Sequence, residues 1–229
     1  MQEEYTINVT PGYRQSRFSK RELGDIAIAV IVLSLALTIL YKRGFVLDYL
    51  AYEFGSTAKW IVLFGMCLLL VVFSFLLHEF GHKFTAQNFG MRSEFRIFPA
   101  GLFITLLTSV LGFLFAAPGA VYIEGNPTRK ENGIISIAGP AVNILLALVG
   151  IAGCLAFNGE GIVVFFLLLA NFNAFLALFN LLPIPPLDGS KIWGWSMPVY
   201  IVAIAMAALE LAYLNLWMPD LVIRSEERR

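Results

Sequence analysis

Histidine and cysteine are almost absent from this chain of 229 residues, which contains two of each. Cys67 and Cys154 stand singly in apolar segments, which excludes a disulfide framework and a cysteine-based metal motif. Charged residues are also scarce, at 14% of the sequence, and the formal net charge is zero. Because no run of like charges suggests nucleic-acid binding, we expect no nucleic-acid partner.

Apolar residues take the place of the missing charges. They make up 59% of the sequence, and the mean hydropathy is +0.77, values that a soluble domain of this size rarely reaches. We therefore predict a polytopic membrane protein whose surroundings are the lipid bilayer. No stretch is long and polar enough for a separate soluble domain, so residues 1–229 are expected to form one membrane-embedded domain. Residues 1–24 are a polar lead, so no cleavable signal peptide is expected.

The apolar stretches divide the chain into candidate membrane spans. They are residues 25–41, 59–89, 133–157, 162–182 and 190–218. The last stretch is either one span or a short helix followed by a full one. Outside the spans, the sequence predicts a short strand at 5–9 in the polar lead, a connection at 44–58 and a tight turn at 158–161. Four basic residues before the first span predict a cytoplasmic N-terminus: Arg14, Arg17, Lys20 and Arg21.

Both histidines lie in the second span, in the pattern His-Glu-x-x-His. Residues four apart share a face of a helix, so the imidazoles of His78 and His82 can converge on one metal ion. Glu79 lies about 100° around the helix from His78, close enough to take a proton from metal-bound water. Ionisable groups are costly inside an apolar segment, which favours a functional site. The alternative is a pair of structural histidines hydrogen-bonded to neighbouring helices.

A catalytic zinc site typically has three protein ligands, and the chain has no third histidine. The third ligand is therefore a carboxylate or a cysteine. Asp188 is the strongest candidate because it ends an apolar span and follows a rigid proline-rich stretch at 183–186. On position alone, a turn Asp before Gly189 explains the residue equally well. Glu210, in a later apolar segment, is an alternative ligand, although we favour a structural or gating role for it.

Whether residues 92–125 cross the membrane decides whether Asp188 can be the third ligand. The segment is apolar enough to cross the membrane, but Pro and Gly interrupt it and its flanks have the pattern of strands. If it crosses, Asp188 ends at the outer face, away from the histidines; if it dips in and returns, Asp188 reaches their depth. We predict the second case, because it places these basic residues on the cytoplasmic side: Lys83, Arg92, Arg96, Arg129 and Lys130.

Three motifs follow one another along the chain. They are His78-Glu-Phe-Gly-His82, then Gly139-Pro-Ala-Val-Asn143, and then Asn180-Leu-Leu-Pro183-Ile-Pro-Pro-Leu187-Asp188-Gly189. Together they resemble the site-2 protease family of intramembrane zinc metalloproteases, and the resemblance covers residues 58–190. It implies an all-α polytopic membrane protein of about six transmembrane helices, with a small membrane-associated re-entrant β element at 92–125. Many members carry a PDZ or CBS domain, for which this chain has no room.

The resemblance also implies the residues of the site. It assigns one zinc ion (Zn2+) per chain to His78, His82 and Asp188, with Glu79 as the catalytic base. Asn143 is then expected near the reacting carbonyl, where it hydrogen-bonds the developing oxyanion or holds the substrate; its other reading is a bond between helices. Residues 58–190 are then the catalytic core, and residues 191–229 form the C-terminal helices and tail.

The expected function is hydrolysis of a peptide bond within or near the transmembrane segment of membrane-protein substrates. Zinc would lower the pKa of its bound water to about 7, and Glu79 would take the proton. A strand edge of the re-entrant element could pair with the unwound substrate. We expect a multi-pass protein of the cell membrane whose active site opens to the cytoplasm. The alternative is a zinc transporter or a metal-binding membrane protein, which leaves Glu79 without a role.

Overall fold

The computed structural model describes residues 18–42, 45–157 and 160–226. Within these ranges the chain forms eight α-helices, one π-helical turn and two strands. The helices are α1 Lys20–Leu40, α2 Phe45–Val71, α3 Leu77–Asn88, α4 Pro99–Leu111, α5 Arg129–Ala156, α6 Glu160–Asn180, α7 Asp188–Trp195 and α8 Met197–Glu226. The π-helical turn is Val72–Leu76, and the strands are β1 Arg92–Ile97 and β2 Gly119–Glu124.

Five helical segments in the described ranges are long and apolar enough to cross a membrane. They are residues 20–40, 54–88, 129–156, 161–180 and 197–216. This confirms the all-α polytopic class, with five such helices where about six were expected. The remaining apolar helix, α4, has 13 residues, which extend over about 20 Å and fall short of the roughly 30 Å hydrocarbon core.

Two boundaries differ from the sequence prediction. The sequence predicts a polar lead up to residue 24, but α1 begins at Lys20 because the Ser19 hydroxyl accepts the Glu22 N–H (3.1 Å) and caps the helix. The connection expected at 44–58 is helical from Phe45 onward, with one break at Gly55 (φ 78°). Val46 and Leu50 explain this helix, since they are four residues apart and both buried in the core.

The C-terminal stretch follows the second of its two predicted alternatives. A short helix, α7, ends at Trp195, and Ser196 has extended backbone (φ −148°) before α8 begins at Met197. Pro198 lies in the first turn of α8, where proline is tolerated. Other predicted features lie outside the described residues, namely the strand at 5–9 and positions 158–159 of the tight turn.

The segment 92–125 dips and returns. β1 and β2 pair antiparallel, in a register that runs from Arg92 opposite Glu124 to Ile97 opposite Gly119. The two ends of the segment therefore lie side by side, whereas a full crossing would separate them by about 30 Å. Within the dip, the Thr105 hydroxyl lies 2.8 Å from the Gly101 carbonyl oxygen and accepts the Ala117 N–H (3.3 Å). These bonds satisfy backbone groups of the irregular stretch between α4 and β2, which a membrane segment needs to pair internally.

Helix α5 lies at the centre of the fold and packs against α3, α6, α7 and α8. Small residues make these contacts close. A Cβ on Gly150 would lie 2.6 Å from the Ala170 nitrogen of α6, and one on Gly81 would lie 2.8 Å from the Ala138 carbonyl oxygen. Gly81 lies beside the histidines on α3, and α5 is the segment that approaches it there. This approach brings the α5 backbone and side chains to the His pair.

Candidate metal centre

The two histidines share one face of α3, immediately after the π-helical turn. Their Nε2 atoms are 3.0 Å apart, and Asp188 Oδ2 lies 3.1 Å from His82 Nε2 and 3.6 Å from His78 Nε2. All three side chains are buried. Among the described residues, only these three form a group of potential metal-ligand atoms within 4.8 Å of one another. The predicted ligands therefore converge, and Glu210, the alternative ligand, is not part of the group.

Asp188 reaches this group because α7 begins at it. Helix α6 ends at Asn180, the proline-rich turn follows, and Asp188 is the first residue of α7. Gly189 is required here, since a Cβ would lie 2.1 Å from the Leu181 carbonyl oxygen at the end of α6. The other carboxylate oxygen of Asp188 is 3.6 Å from the Lys191 ammonium, one turn along α7.

Helix α5 supplies the partners of the other imidazole nitrogens. His82 Nδ1 lies 2.8 Å from the Ile135 carbonyl oxygen, and His78 Nδ1 lies 2.6 Å from Asn143 Oδ1. Between these partners, Gly139 leaves room for the rings, because a Cβ there would lie 2.3 Å from His82 Nε2. Positions 135, 139 and 143 recur every four residues and so share one face of α5. Gly139 and Asn143 of the second motif thus lie on the face of α5 that packs against the His pair.

The orientation of Asn143 fixes the proton on His78. The Asn143 amide group donates to the Ser74 carbonyl oxygen (3.0 Å) and to Asn173 Oδ1 (2.8 Å), which directs Oδ1 toward His78. An amide oxygen can only accept, so His78 Nδ1 carries its hydrogen. The Ile135 carbonyl oxygen can also only accept, so His82 Nδ1 carries a hydrogen as well. In the neutral rings, both Nε2 atoms are then unprotonated and face Asp188 with their lone pairs.

This donor set fits a metal ion. Two bare nitrogens and a carboxylate oxygen, all acceptors, lie within 3.0–3.6 Å of one another, an arrangement that needs a positive charge among them. Ligands on a tetrahedral zinc at about 2.0–2.1 Å are about 3.3 Å apart, which matches these separations. The group thus attracts a cation, either a proton or a metal.

Glu79 lies beside the group without joining it. Its side chain is buried, and Oε2 accepts a hydrogen bond from the backbone N–H of Val121 in β2 (3.1 Å). His78 and Glu79 are adjacent on α3, so the carboxylate is next to the metal site on a neighbouring face. Its role as a general base stays a prediction.

The sequence prediction missed the residues that support the site. Ser74 and Asn173 are fully buried, and Asn173 Nδ2 donates to the Ser74 hydroxyl (2.8 Å) while its Oδ1 accepts from Asn143. Ser74 lies four residues before His78, on the same helix face, inside the π-helical turn. Such turns are frequent at functional sites, but nothing in a single sequence marks them. The backbone groups of Ile135 and Val121 carry no sequence pattern at all.

Comparison with known proteins places this geometry in a family. The family model described as Peptidase family M50 matches residues 66–164, which include both histidines and Asn143. No solved structure matches the chain.

Three relatives are each named "Putative zinc metalloprotease". MJ0611 of Methanocaldococcus jannaschii is 34% identical over 205 residues, covering 88% of this chain and 98% of the relative. Rip2 of Mycolicibacterium smegmatis is 34% identical over 61% of each chain, and YwhC of Bacillus subtilis is 33% identical over 55% of this chain and 66% of its own length. The coverage of the first relative is nearly complete, so the chain belongs to peptidase family M50, the site-2 protease family that its three motifs predicted.

Proposed function

We propose that this membrane protein is a zinc protease that cleaves a peptide bond within or near the transmembrane segment of membrane-protein substrates. His78, His82 and Asp188 hold the zinc ion, and Glu79 is the general base. The observation that carries the proposal is the convergence of three acceptor atoms with both Nδ1 positions already hydrogen-bonded. Membership of a peptidase family favours hydrolysis over the alternative of a zinc transporter.

Each residue of the site has a defined task. A zinc ion, when bound, supplies Lewis-acid chemistry that polarises a carbonyl and makes water easier to deprotonate near neutral pH. The Glu79 carboxylate, one residue from a ligand, accepts the proton of the attacking water and delivers it to the leaving nitrogen. The three ligands and Glu79 are 5% to 9% exposed, so bulk water reaches the reacting atoms only by a narrow route. Limited access to water strengthens the electrostatic interactions inside the site.

Asn143 is proposed as a positioning residue. The resemblance implies a position near a reacting carbonyl, and that role stays a prediction. Its amide group donates to the Ser74 carbonyl and to Asn173, and its oxygen accepts from His78. This arrangement supports an action through His78, because it holds the ring in the tautomer that a metal ligand requires.

The substrate is proposed to pair with the outer edge of β2. A transmembrane helix satisfies its own peptide groups, so it must unwind locally before a carbonyl becomes accessible. The outer edge of β1 is occupied, because Glu22 accepts the Phe95 N–H (2.8 Å) and Lys83 binds the Ser93 carbonyl (2.7 Å). On the outer edge of β2, Glu79 takes the Val121 N–H, whereas no described residue binds the outward backbone groups of Ile123, so a strand added beside Ile123 would bring its backbone close to the base.

The orientation follows from the charges. Arg92 and Thr128, which flank the re-entrant segment, are both exposed and lie at its paired end. The basic residues around that end support a cytoplasmic position for it, for the N-terminus and for the opening of the site. The protein is accordingly proposed to lie in the cell membrane with its active site facing inward.

Replacement of Glu79 tests the proposed function. The Glu79→Gln variant keeps the three ligands but loses the base, so it should retain zinc and lose cleavage of a reconstituted transmembrane substrate by at least about 100-fold. Glu94→Gln is the matched control, since Glu94 is a half-exposed carboxylate on β1 whose partner is Arg96. Full activity in the Glu79 variant would remove the residue from the mechanism.

A further inference from the structure

The small sheet is held between two buried glutamates, one at each edge. Phe95 and Val121 face each other in the β1–β2 register, and both N–H groups point away from the partner strand. The Phe95 N–H donates to Glu22 Oε1 of α1 (2.8 Å), and the Val121 N–H donates to Glu79 Oε2 of α3 (3.1 Å). The sheet therefore connects the start of α1 to the proposed base.

Lys83 fixes the other strand to the same helix. Glu79 and Lys83 are four residues apart, so they share the face of α3 that lies against the sheet. The Lys83 ammonium donates to Glu22 Oε1 and to the Ser93 carbonyl, each at 2.7 Å, and the Ser93 hydroxyl donates back to the Lys83 carbonyl (3.0 Å). The ammonium also lies 4.9 Å from the centre of the Phe18 ring. One face of α3 thus holds β1 through Lys83 and β2 through Glu79.

A contribution to stability explains the buried Lys83–Glu22 ion pair poorly. Lys83 is 1% exposed and Glu22 is fully buried, and no described residue hydrogen-bonds Glu22 Oε2. Replacement of such a buried pair by apolar residues is often neutral or stabilising, so a buried pair is better explained by the geometry that it specifies. Here that geometry is the distance between the sheet and the catalytic helix.

We propose that Val121, through its backbone N–H, is a positioning residue for Glu79, and that the buried Lys83–Glu22 pair holds the sheet where this bond can form. The inference rests on the proposed function of Glu79 as the base. It makes the re-entrant element part of the catalytic machinery as well as a surface for the substrate. A carboxylate held at one oxygen keeps a defined direction toward the metal site, which an unsupported side chain would lose.

A proline at position 121 tests the bond directly. The Val121 N–H takes no part in the β1–β2 ladder, so Val121→Pro removes the bond to Glu79 and leaves the sheet pairing intact. We expect kcat to fall by about 10- to 100-fold, with a smaller change in KM and with zinc content equal to wild type. Ile97→Pro is the control, because the Ile97 N–H also lies outside the ladder but on the β1 edge, away from Glu79 and from the proposed substrate edge, so this variant should keep kcat. Equal kcat in both variants and wild type would overturn the proposal.

A second comparison tests the ion pair without relying on activity. In the double variant Glu22→Gln with Lys83→Met, hydrogen exchange of residues 119–124 should accelerate by at least about tenfold while zinc is retained. The matched control is Asp25→Asn with Arg96→Met, which removes a partly exposed α1–β1 pair (3.4 Å) and should leave exchange unchanged. Unchanged exchange in the first variant would overturn the role of the pair. Activity in Glu79→Gln would instead refute the proposed function, so the two failures are distinguishable.

Discussion

At the scale of single residues, hydrogen bonds away from the metal position decide whether the ligands can bind it. The Ser74 carbonyl and Asn173 orient Asn143, and Asn143 places the hydrogen of His78 on Nδ1. Only then is the Nε2 lone pair free for a metal ion. Asn143 and His78 thus connect Asn173 to the metal position, and hydrogen bonds hold each of these two side chains in one orientation.

Replacement of Asn143 tests this orientation. Asn143→Leu removes the acceptor of His78 Nδ1, and we expect zinc affinity to fall by about 10- to 100-fold. Asn143→Asp keeps an oxygen acceptor and should retain tighter binding than the Leu variant. The control is Asn171→Leu, because within the described part of the chain the Asn171 amide bonds only to the Leu167 carbonyl of its own helix (3.0 Å). Chelator titration of the purified proteins measures all three, and equal affinities for the Leu and wild-type proteins would contradict the account.

The sequence predicted those residues of the site whose relation is local. His78, Glu79 and His82 follow from the helical period, because four residues nearly complete one turn. Asp188 required a topological argument as well, since the chain crosses the membrane twice before returning to it. Asn173 could not be found, because one buried Asn in an apolar span is no different from Asn171, two residues earlier, until the neighbouring helix is known.

At the scale of elements, α5 and α3 approach closely enough for a helix backbone to serve the metal site. Pro140 has no N–H, so the turn before it lacks one helical hydrogen bond. The neighbouring Ile135 carbonyl accepts from His82 in that turn, and Gly139 leaves space for both rings. Gly139 of the second motif therefore explains how a helix can receive two imidazoles on one face, whereas the carbonyl that Pro140 leaves without a helical donor is that of Ser136.

Gly139→Ala should block this contact. The new methyl group would lie 2.3 Å from His82 Nε2, so the ring must move from the metal position. We expect at least a tenfold loss of zinc affinity and a destabilisation of about 1–3 kcal/mol from overpacking. Gly65→Ala in α2 is the control, because its methyl group would meet nothing within 4 Å. Metal content and thermal unfolding measure both effects, and normal zinc binding by the Gly139→Ala protein would show that the close approach is unnecessary.

Element boundaries were the less predictable part of the fold. The polar sequence before residue 24 concealed the capped start of α1 at Lys20, because a Ser19 cap allows a helix to begin among charged residues. Strand flanks of the re-entrant segment were visible in the alternation of residues, whereas the helix α4 between them was not. Its Gly, Pro and Thr residues weaken local propensity, and tertiary bonds such as those of Thr105 replace it.

At the scale of the whole molecule, the return of the re-entrant segment determines whether the site exists. Because β1 and β2 pair, α5 leaves from the side at which α3 arrives, and α6 brings the chain back to Asp188. Two full crossings, α5 and α6, thus lie between the His pair and Asp188 along the chain. The positive-inside pattern allowed this prediction from sequence, since both flanks of the segment are basic.

Cysteine labelling tests this topology in cells. With Cys67 and Cys154 replaced, single cysteines at positions 92, 128 and 157 are treated with a membrane-impermeant thiol reagent. All three positions are exposed. We expect labelling from outside only at position 157, because positions 92 and 128 are proposed to share the cytoplasmic side. External labelling at 128 without labelling at 92 would mean that the segment crosses the membrane.

The zinc content of the Asp188→Ala protein tests the central claim most directly, because that claim joins the fold, the ligands and the chemistry. Wild type should bind one zinc ion per chain, and the variant should lose zinc and proteolysis together, since only two protein ligands remain. Glu210→Ala is the matched control, as Glu210 is a buried carboxylate outside the ligand group and should leave zinc in place. Retention of zinc by Asp188→Ala together with its loss in Glu210→Ala would contradict the site described above.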